Sequence, residues 1–219
     1  MSASTMQPNL DQLAGLTGVR AGALSRWQET GWPNNRVEQW RFTRLTSLEK
    51  MDLRPASNAA TVGNAATAAT LPENGVVLSF SNGVLDVAGL AALPDGVKAS
   101  FLSENDTALA ALAASVPKSH PISDLSLAVM TSGLHLEIVG KVDVPIILVF
   151  TGDDNEVSSH PVVSVKLADD ASAVLAEWHQ SAVGLSAPLM AIEVGDKARL
   201  DYAKVQHDSA QSAHLAATG

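Results

Sequence analysis

Hydrophobic residues recur at helical spacing in two parts of this chain. Residues 9–30 carry apolar residues at helical intervals, which predicts a helix, although its glycines suggest a break. The helix is expected to end at Gly31, because glycine suits the position after a helix and Pro33 cannot continue it. Residues 103–116 repeat the spacing and predict a second helix. Between them, residues 55–72 hold almost no large apolar side chains, so they predict a flexible linker.

Short runs rich in valine, isoleucine and leucine occupy much of the remaining sequence. Residues 75–87 contain two such runs joined by Asn82 and Gly83, a pair that tolerates positive φ and predicts a β-hairpin. After residue 120 the helical spacing disappears, and we predict a region of strands and turns. The predicted strands are LSLAVM, LHLEIV, PIILVF, PVVSVKL, SAVLAEW, LMAIEV and RLDYAKV.

Three turns between these strands are alike: EIVGKVDV, KLADDASAV and EVGDKARL. Aligned on Val139, Leu167 and Val194, they recur after 28 and 27 residues. A near-constant period of this length is what a β-solenoid produces, because each turn of the solenoid stacks on the one before it. A sandwich of similar strands remains the alternative.

The composition excludes several classes of function. The net charge of −9 argues against binding to nucleic acid, which needs a basic face. The chain has no cysteine, so it forms no disulfide and offers no thiolate to a metal or an iron–sulfur cluster. The first residues lack the pattern of a signal peptide, and the longest apolar run, VPIILVF, is too short to cross a bilayer. We therefore predict a cytoplasmic protein that binds neither nucleic acid nor membrane.

Histidines and paired aspartates are the candidate chemical groups. His207 and His214 could meet His179 across adjacent repeats as an imidazole cluster, but packed or hydrogen-bonded histidines are the commoner arrangement. We predict that the acidic pairs at 153–154 and 169–170 lie in solvated turns, because a general acid–base pair needs a cleft that shifts the pKa values of its carboxyl groups. No nucleophile elbow, phosphate-binding loop or zinc-protease motif occurs. We predict no catalytic residue, no metal ligand and no enzyme.

The stretch GWPNNRVEQWRFTRL concentrates two tryptophans and three arginines in a chain with four tryptophans in all. Trp40 can anchor the segment by burying a large ring at the passage from a helix end to extended chain. We predict that this segment stabilises the domain rather than binds a partner, because pairs of exposed charged residues contribute little free energy.

The longer stretch ALSRWQETGWPNNRVEQWRFTRL resembles the N-terminal signature of SufD, a branch of the SufB/SufD family of iron–sulfur cluster assembly proteins. The matching positions are Gly31, Pro33, Glu38, Trp40, Arg41, Phe42, Thr43 and Leu45. Four later stretches resemble family motifs in the same order: SFSNGVLDV, VDVPIILVF, SSHPVVSVKLADDASAVLAEWH and EVGDKARLDYAKVQHDSAQSAHLAAT. The resemblance covers the chain from about residue 20 to its C-terminus.

This resemblance implies a fold that is mainly β, a partial right-handed parallel β-helix preceded by an N-terminal helical region. With the patterns above, it predicts an N-terminal helical region at 1–54, a flexible linker at 55–72, a hairpin and helix that form a connecting region at 73–118, and a partial parallel β-helix at 119–219. The signature residues are expected to be structural.

The resemblance also implies a function. SufD is a non-catalytic scaffold subunit that pairs with SufB through the β-helices, while each of them binds the ATPase SufC through a C-terminal region. The resulting SufBCD complex builds iron–sulfur clusters and transfers them to apo-proteins. This chain is expected to bind no cofactor alone, since the complex handles the cluster.

Relatives continue beyond the position of Gly219, so we expect the chain to be truncated and to lack the SufC-binding region. An open β-helix end exposes strand edges and apolar side chains, which predicts a homodimer through that end. Two other functions stay open: a β-helix enzyme that acts on carbohydrate, and a self-associating structural solenoid. The enzyme would need carboxylates or a basic residue on a groove.

Overall fold

The protein is described by a computed structural model, and the structure describes residues 13, 15–43, 45, 48, 54–55, 71, 74–102, 107–116, 121–153 and 157–219. The α-helices are α1 (Gly18–Thr30), α2 (Thr107–Ser115) and α3 (Pro121–Val129), with 3₁₀-helices at Glu38–Trp40 and Val87–Ala92. The strands are β1 (Arg54–Pro55), β2 (Val76–Ser81), β3 (Val84–Leu85), β4 (Val97–Phe101), β5 (Ser132–Ile138), β6 (Ile146–Gly152), β7 (Val157–Ser159), β8 (Pro161–Leu167), β9 (Ser172–Ser181), β10 (Gly184–Ser186), β11 (Leu189–Val194), β12 (Arg199–Gln206), β13 (Ser212–His214) and β14 (Ala217–Thr218).

In the described part of the chain, the strands form three sheets whose neighbours run parallel, apart from the pairs β2–β3 and β4–β5. Sheet one has the order β14-β11-β8-β5-β4, sheet two β12-β9-β6-β2-β3, and sheet three β1-β7-β10-β13. From β5 onward, the chain passes through sheets one, two and three in the same order in every repeat. The prediction of a mainly β fold is confirmed, and its sheets are largely parallel.

Corresponding residues of successive repeats pair directly across the sheets. Ile138 pairs with Leu167, and the register between β5 and β8 is an offset of 29 residues. Leu167 in turn pairs with Val194, where the offset is 27 residues. The sequence alignment on Val139 was therefore wrong by one position, because Val139 is 51% exposed and follows the buried end of β5. Parallel pairing also argues against the sandwich alternative, whose sheets are antiparallel.

The hairpin prediction is confirmed at Asn82 and Gly83, which have φ of 49° and 84°. Positive φ is costly for most residues but free for glycine. Gly83 is needed for a second reason, since a Cβ there would lie 2.4 Å from the Thr131 hydroxyl oxygen and 2.8 Å from that of Ser159. The hairpin is thus held tightly against the turn that precedes β5 and against the end of β7.

Replacing Gly83 by alanine should lower the free energy of unfolding by about 2–4 kcal/mol, because left-handed strain adds to overpacking. Urea unfolding followed by circular dichroism measures this loss. Gly140→Ala is the matched control, since its φ is 69° but nothing lies within 4 Å of the added Cβ. That variant should lose only the strain, about 1–2 kcal/mol. Equal losses in both variants would mean that the hairpin tolerates the added methyl group.

The helices cover the outer face of sheet one. Helix α1 lies against α3, where Arg26 pairs with Asp124 at 2.7 Å and Arg20 donates to the carbonyl of Ala128. Side chains of β8 alternate between two cores: Val162 packs among the helices, whereas Val163 faces the interior between the sheets. Because both faces of β8 are covered, its sequence is a nearly continuous apolar run.

The predicted ends of the helices are only partly correct. Helix α1 ends at Gly31 as expected, where φ is 62° and the N–H donates to the carbonyl of Trp27 at 2.7 Å. It begins at Gly18, because Gly15 and Gly18 both have positive φ and interrupt the helical run. The second predicted helix is confirmed at Thr107–Ser115, with Leu109 and Leu112 buried.

The run LSLAVM was wrongly predicted as a strand, since it lies largely in helix α3. Residues 122–129 are all buried although Ser123, Asp124 and Ser126 are polar, and the alternation of Leu125, Ser126 and Leu127 resembles that of a strand. Local signals did favour a helix: Pro121 suits its first position, and Asp124 in the first turn complements the helix dipole. The predicted β-region that starts at residue 119 therefore opens with a helix.

Some predictions fall outside the described residues. The linker at 55–72 is described only at its residues 55 and 71, and the Ser-Asp start of the second helix lies at 103–106. Among the helices that the structure describes, none is long and apolar enough to cross a membrane.

Candidate functional site

The interior between the three sheets changes from apolar to polar along strand β9. Alternate residues of this strand point inward, and Ala173 and Leu175 join the apolar core as expected. The next inward positions hold Glu177, His179 and Ser181, and all three are buried. A buried carboxylate beside a buried imidazole is costly unless both are paired, so this end of β9 is the candidate functional site.

Glu177 is the centre of a network with strand β12. Its Oε2 lies 2.7 Å from Nε2 of His179 and 3.2 Å from Nζ of Lys204. Its Oε1 accepts a hydrogen bond from the hydroxyl of Tyr202. Lys204 pairs with Glu177 in the register of the two strands, so the sheet itself places the ammonium beside the carboxylate.

These partners set the protonation states. Burial alone would raise the pKa of Glu177, but the hydrogen bonds from His179 and Tyr202 and the charge of Lys204 outweigh it and lower the pKa. Burial lowers the pKa of His179, although Glu177 acts in the opposite direction. Burial and the hydrogen bond to Glu177 raise the pKa of Tyr202. At neutral pH the network therefore holds a carboxylate, a neutral imidazole and a neutral phenol.

Aromatic rings connect His179 to the rest of the interior. Its ring stacks on Phe150 at 4.7 Å, and Phe150 stacks on Phe80 at 4.9 Å. On another side, the ring of His214 lies 4.7 Å from that of His179, nearly perpendicular to it. His214 comes from β13 of sheet three, so the two histidines meet across the interior.

His214 has a carboxylate of its own. Nδ1 of His214 lies 3.2 Å from Oδ2 of Asp208, close enough for an ion pair but not aligned as a hydrogen bond. The other oxygen of Asp208 accepts the N–H of Ser181 at 2.6 Å. Burial would raise the pKa of Asp208, whereas His214 and the N–H of Ser181 lower it further than burial raises it. Asp208 is therefore ionised at neutral pH.

Several buried atoms of this site have no hydrogen-bond partner among the described residues. They are Nδ1 of His179, both ring nitrogens of His214, Oδ2 of Asp208 and Oγ of Ser212. A concentration of such atoms is unusual, because buried polar groups are nearly always satisfied. One of these residues, Asp208, lines a cavity of about 420 Å³ together with Ser181, His207 and Asp153, whereas His179, Ser212 and His214 do not line it.

The predicted imidazole cluster is found in part. His179 and His214 meet, but the side chain of His207 is exposed, and only its backbone N–H reaches the carbonyl of His179. His135 and His160 are packed elsewhere against Ser164 and Ser126, as the commoner arrangement predicts, and burial lowers the pKa of His160 to about 3. His120 lies outside the described residues.

Of the described members of the acidic pairs, Asp153 lines the cavity beside Asp208, whereas Asp169 and Asp170 lie outside the site. Asp169 and Asp170 are exposed in the turn before β9, as predicted, and Asp169 accepts the N–H of Asp196 at 2.8 Å. Asp153 is exposed and accepts a hydrogen bond from Asn82, while Asp154 lies outside the described residues. No three His, Asp or Glu side chains in the described part of the chain are placed to hold a metal ion.

The signature residues lie away from this site, at the helical end. Trp40 is buried in one apolar core with Trp27 and Trp32, and the rings of Trp27 and Trp32 meet edge to face at 5.1 Å. Gly31 ends helix α1, and Pro33 is buried. The side chains of Glu38, Arg41 and Thr43 are exposed.

Replacing Trp40 by alanine should lower the free energy of unfolding by about 3 kcal/mol, because a large buried ring is removed from the helical core. Urea unfolding measures the change. Phe42→Ala is the control: its ring is 92% exposed, so stability should change by less than about 0.5 kcal/mol. Unchanged stability of the Trp40 variant, together with lost binding to another protein, would instead identify the segment as a contact site.

Comparison with known proteins gives no identification. No protein-family model matches the chain, and no curated protein matches it.

The sequence did not point to four residues of the site: Glu177, Tyr202, Lys204 and Asp208. One signal was present, because the run SAVLAEWHQS places Glu177 and His179 at the same alternation as Ala173 and Leu175. A charged residue at a position that should be buried predicts a paired ion or a functional group.

Proposed function

We propose that this protein is a non-catalytic scaffold subunit of a SufBCD complex, which assembles iron–sulfur clusters and transfers them to apo-proteins in the cytoplasm. The observation that supports the proposal best is the order of elements. Helix α1 comes first, α2 and α3 follow strands β1–β4, and this helical core packs on later strands that pair in parallel with one another. The resemblance to SufD implies that same order.

We further propose that residues 132–218 form a right-handed parallel β-helix. Each repeat contributes one strand to each of three sheets, and the next repeat adds a parallel neighbour to each. Connections between parallel strands of one sheet are right-handed in about 98% of cases, which favours that hand here. Stacked repeats give such a fold long, regular side surfaces on which another subunit can pack.

The position of the signature agrees with a scaffold. Trp40 and Gly31 fix the path of the chain around the helical core, and this core includes Val162 and Leu189 from the strands. The signature therefore joins the helical region to the parallel sheets. The carboxylates of the candidate site are engaged with Lys204 and histidines in the interior, an arrangement that does not favour the carbohydrate-active alternative.

The test is co-purification of the affinity-tagged chain from cells of its own organism. We expect a SufB-type paralogue to co-purify in stoichiometric amount, and the recombinant chain alone to remain colourless after chemical reconstitution with iron and sulfide. Deleting the gene should lower the activity of iron–sulfur enzymes in the same cells. A tagged chain that recovers no SufB-type protein would overturn the proposal, as would a stable cluster on the chain alone.

Light scattering on the purified chain separates the scaffold from the self-associating alternatives. The inward positions of β12 hold Leu200 and Tyr202 but also Lys204, so a contact between two copies there would have to cover a charged amine. A defined homodimer at micromolar concentration would support the prediction that two copies of the chain associate through the open β-helix end. Open-ended polymers would favour the structural solenoid.

A further inference from the structure

Two buried histidines of the candidate site share a chemical arrangement. Nε2 of His179 lies against the carboxylate of Glu177, and Nδ1 of His214 lies near the carboxylate of Asp208. Among the described residues, Nδ1 of His179 and both ring nitrogens of His214 are buried without a hydrogen-bond partner, and of the two in His214, Nε2 is the one turned away from Asp208. The side chain of His179 is fully buried, and that of His214 is nine-tenths buried.

The hydrogen bond to Glu177 decides which nitrogen of His179 carries the proton, and at His214 the charge of Asp208 favours the proton on the nearer nitrogen, Nδ1, although the two groups are not aligned as a hydrogen bond. A neutral imidazole that faces a carboxylate turns its N–H toward that carboxylate, so the opposite nitrogen keeps an unprotonated lone pair. Carboxylate–histidine pairs of this kind orient the histidines that bind metal ions in proteins and raise their basicity. Two such lone pairs in an interior without a partner need a hydrogen-bond donor or a cation.

We propose that His179 and His214 together bind a divalent transition-metal ion such as Zn²⁺ through these two nitrogens. Imidazole nitrogen is a preferred ligand of zinc, nickel, copper and iron ions. The site is assigned from these atoms alone and does not depend on the proposed scaffold function.

The separation of the rings agrees with a shared ion. When a nitrogen binds zinc at about 2.0–2.1 Å, the ring centroid lies roughly 3.2 Å from the metal. Two rings on one ion at angles of about 90–110° therefore have centroids roughly 4.5–5.2 Å apart. The centroids of His179 and His214 are 4.7 Å apart.

Two imidazoles do not complete the coordination of such an ion. No third His, Asp or Glu in the described residues is placed to join them. The hydroxyl of Ser212, two residues before His214 on β13, is also buried without a partner among the described residues, and Asp208, which lies next to His214, lines a cavity that water can enter. Because open positions are typical of reactive rather than structural metal sites, the ion would be exchangeable.

Equilibrium dialysis of the purified full chain against Zn²⁺ tests the site. We expect one Zn²⁺ per chain at micromolar concentration, and a higher melting temperature in its presence, since the ion binds the folded state. His179→Gln and His214→Gln should each abolish binding. Asp208→Asn should weaken it by about tenfold, because it removes the carboxylate that orients His214.

His207→Gln is the matched control, since this exposed neighbour is removed without touching either buried ring. It should bind Zn²⁺ as the unaltered chain does, and loss of binding there would reassign the ion to the surface. X-ray absorption of the Zn²⁺-loaded unaltered chain gives a readout that needs no variant, with two imidazole ligands expected. Any other number of imidazole ligands, or no stoichiometric binding, would overturn the proposal. The unpaired nitrogens would then be hydrogen-bonded to water instead of to a metal ion.

Discussion

Replacing Glu177 by alanine should lower the free energy of unfolding at pH 7 by about 3–4 kcal/mol. The carboxylate is 1% exposed and accepts hydrogen bonds from His179 and Tyr202, while Lys204 lies 3.2 Å away. Its removal leaves the buried imidazole N–H, and the partly exposed ammonium and phenol, without their acceptor. Breaking a buried pair by removing one partner is costly because the remaining charge stays desolvated. Lys204 is partly exposed, which holds the loss near the lower end of the range.

Urea unfolding of the single and double variants separates the charge from the packing. Glu177→Gln with Lys204→Met removes both charges at similar volume, and it should recover most of the stability. The matched exposed pair is Arg199 and Asp201, and Asp201→Ala should change stability by less than about 1 kcal/mol. If the double variant is as unstable as Glu177→Ala, the loss comes from the cavity rather than from the unpaired charge.

The stability that Glu177 contributes should depend on pH in a defined direction. Because the folded-state pKa of Glu177 lies below 4.5, the unfolded chain takes up the proton first as the pH falls. The stabilisation from its charge is therefore complete above about pH 4.5 and is lost as the pH falls through the folded-state pKa. The difference in the free energy of unfolding between the unaltered chain and Glu177→Ala should therefore become smaller as the pH falls through that range. A difference that stays constant from pH 7 to about pH 3 would show that Glu177 contributes by packing alone.

Phe150→Ala should be the most destabilising substitution of the core, at about 4 kcal/mol. The ring is 2% exposed and lies between Phe80 and His179, with centroids 4.9 Å and 4.7 Å away. Alanine removes both stacking contacts and leaves a cavity where the apolar interior meets the polar site. Denaturant unfolding at constant m-value measures the loss.

Phe150→Leu separates volume from stacking, and we expect it to cost about 1–2 kcal/mol, since leucine fills most of the space. Phe101 provides the control, because its ring lies on strand β4 and is 57% exposed. Phe101→Ala should change stability by less than about 0.5 kcal/mol. A comparable loss at both positions would mean that the aromatic stack contributes nothing specific.

The strands could be predicted from sequence where their alternation or their apolar runs were undisturbed. Strand β8 coincides with the predicted run PVVSVKL, and Asn82-Gly83 correctly marked the hairpin. Helix α3 was missed because Leu125, Ser126 and Leu127 alternate as in a strand, while Ser123 and Asp124, its other polar residues, precede the run that was predicted as a strand. The repeat alignment was one residue off because Val139 is apolar yet exposed, which only the strand register reveals.

Less of the candidate site than of the fold could be predicted from the sequence. The contact between His179 and His214 could be predicted only as one possibility, because the two lie in different sheets and are not register partners: His179 pairs with Gln206, and His214 pairs with Ser186. The position of Lys204 beside Glu177 follows from the repeat, because the turns aligned on Leu167 and Val194 differ by the same 27 residues, whereas the contact of Tyr202 with Glu177 does not follow, because its register partner is Leu175.

The double-sided burial of strands β8 and β11 has a consequence for synthesis on the ribosome. Trp27 and Trp40 belong to a core that also needs Val162 and Leu189, which are made more than a hundred residues later. At about 5–20 residues per second, the tryptophans wait roughly 6–30 s for their partners. Nascent chains that stop before residue 160 should therefore bind chaperones through the tryptophan segment, and release should follow once β11 has emerged.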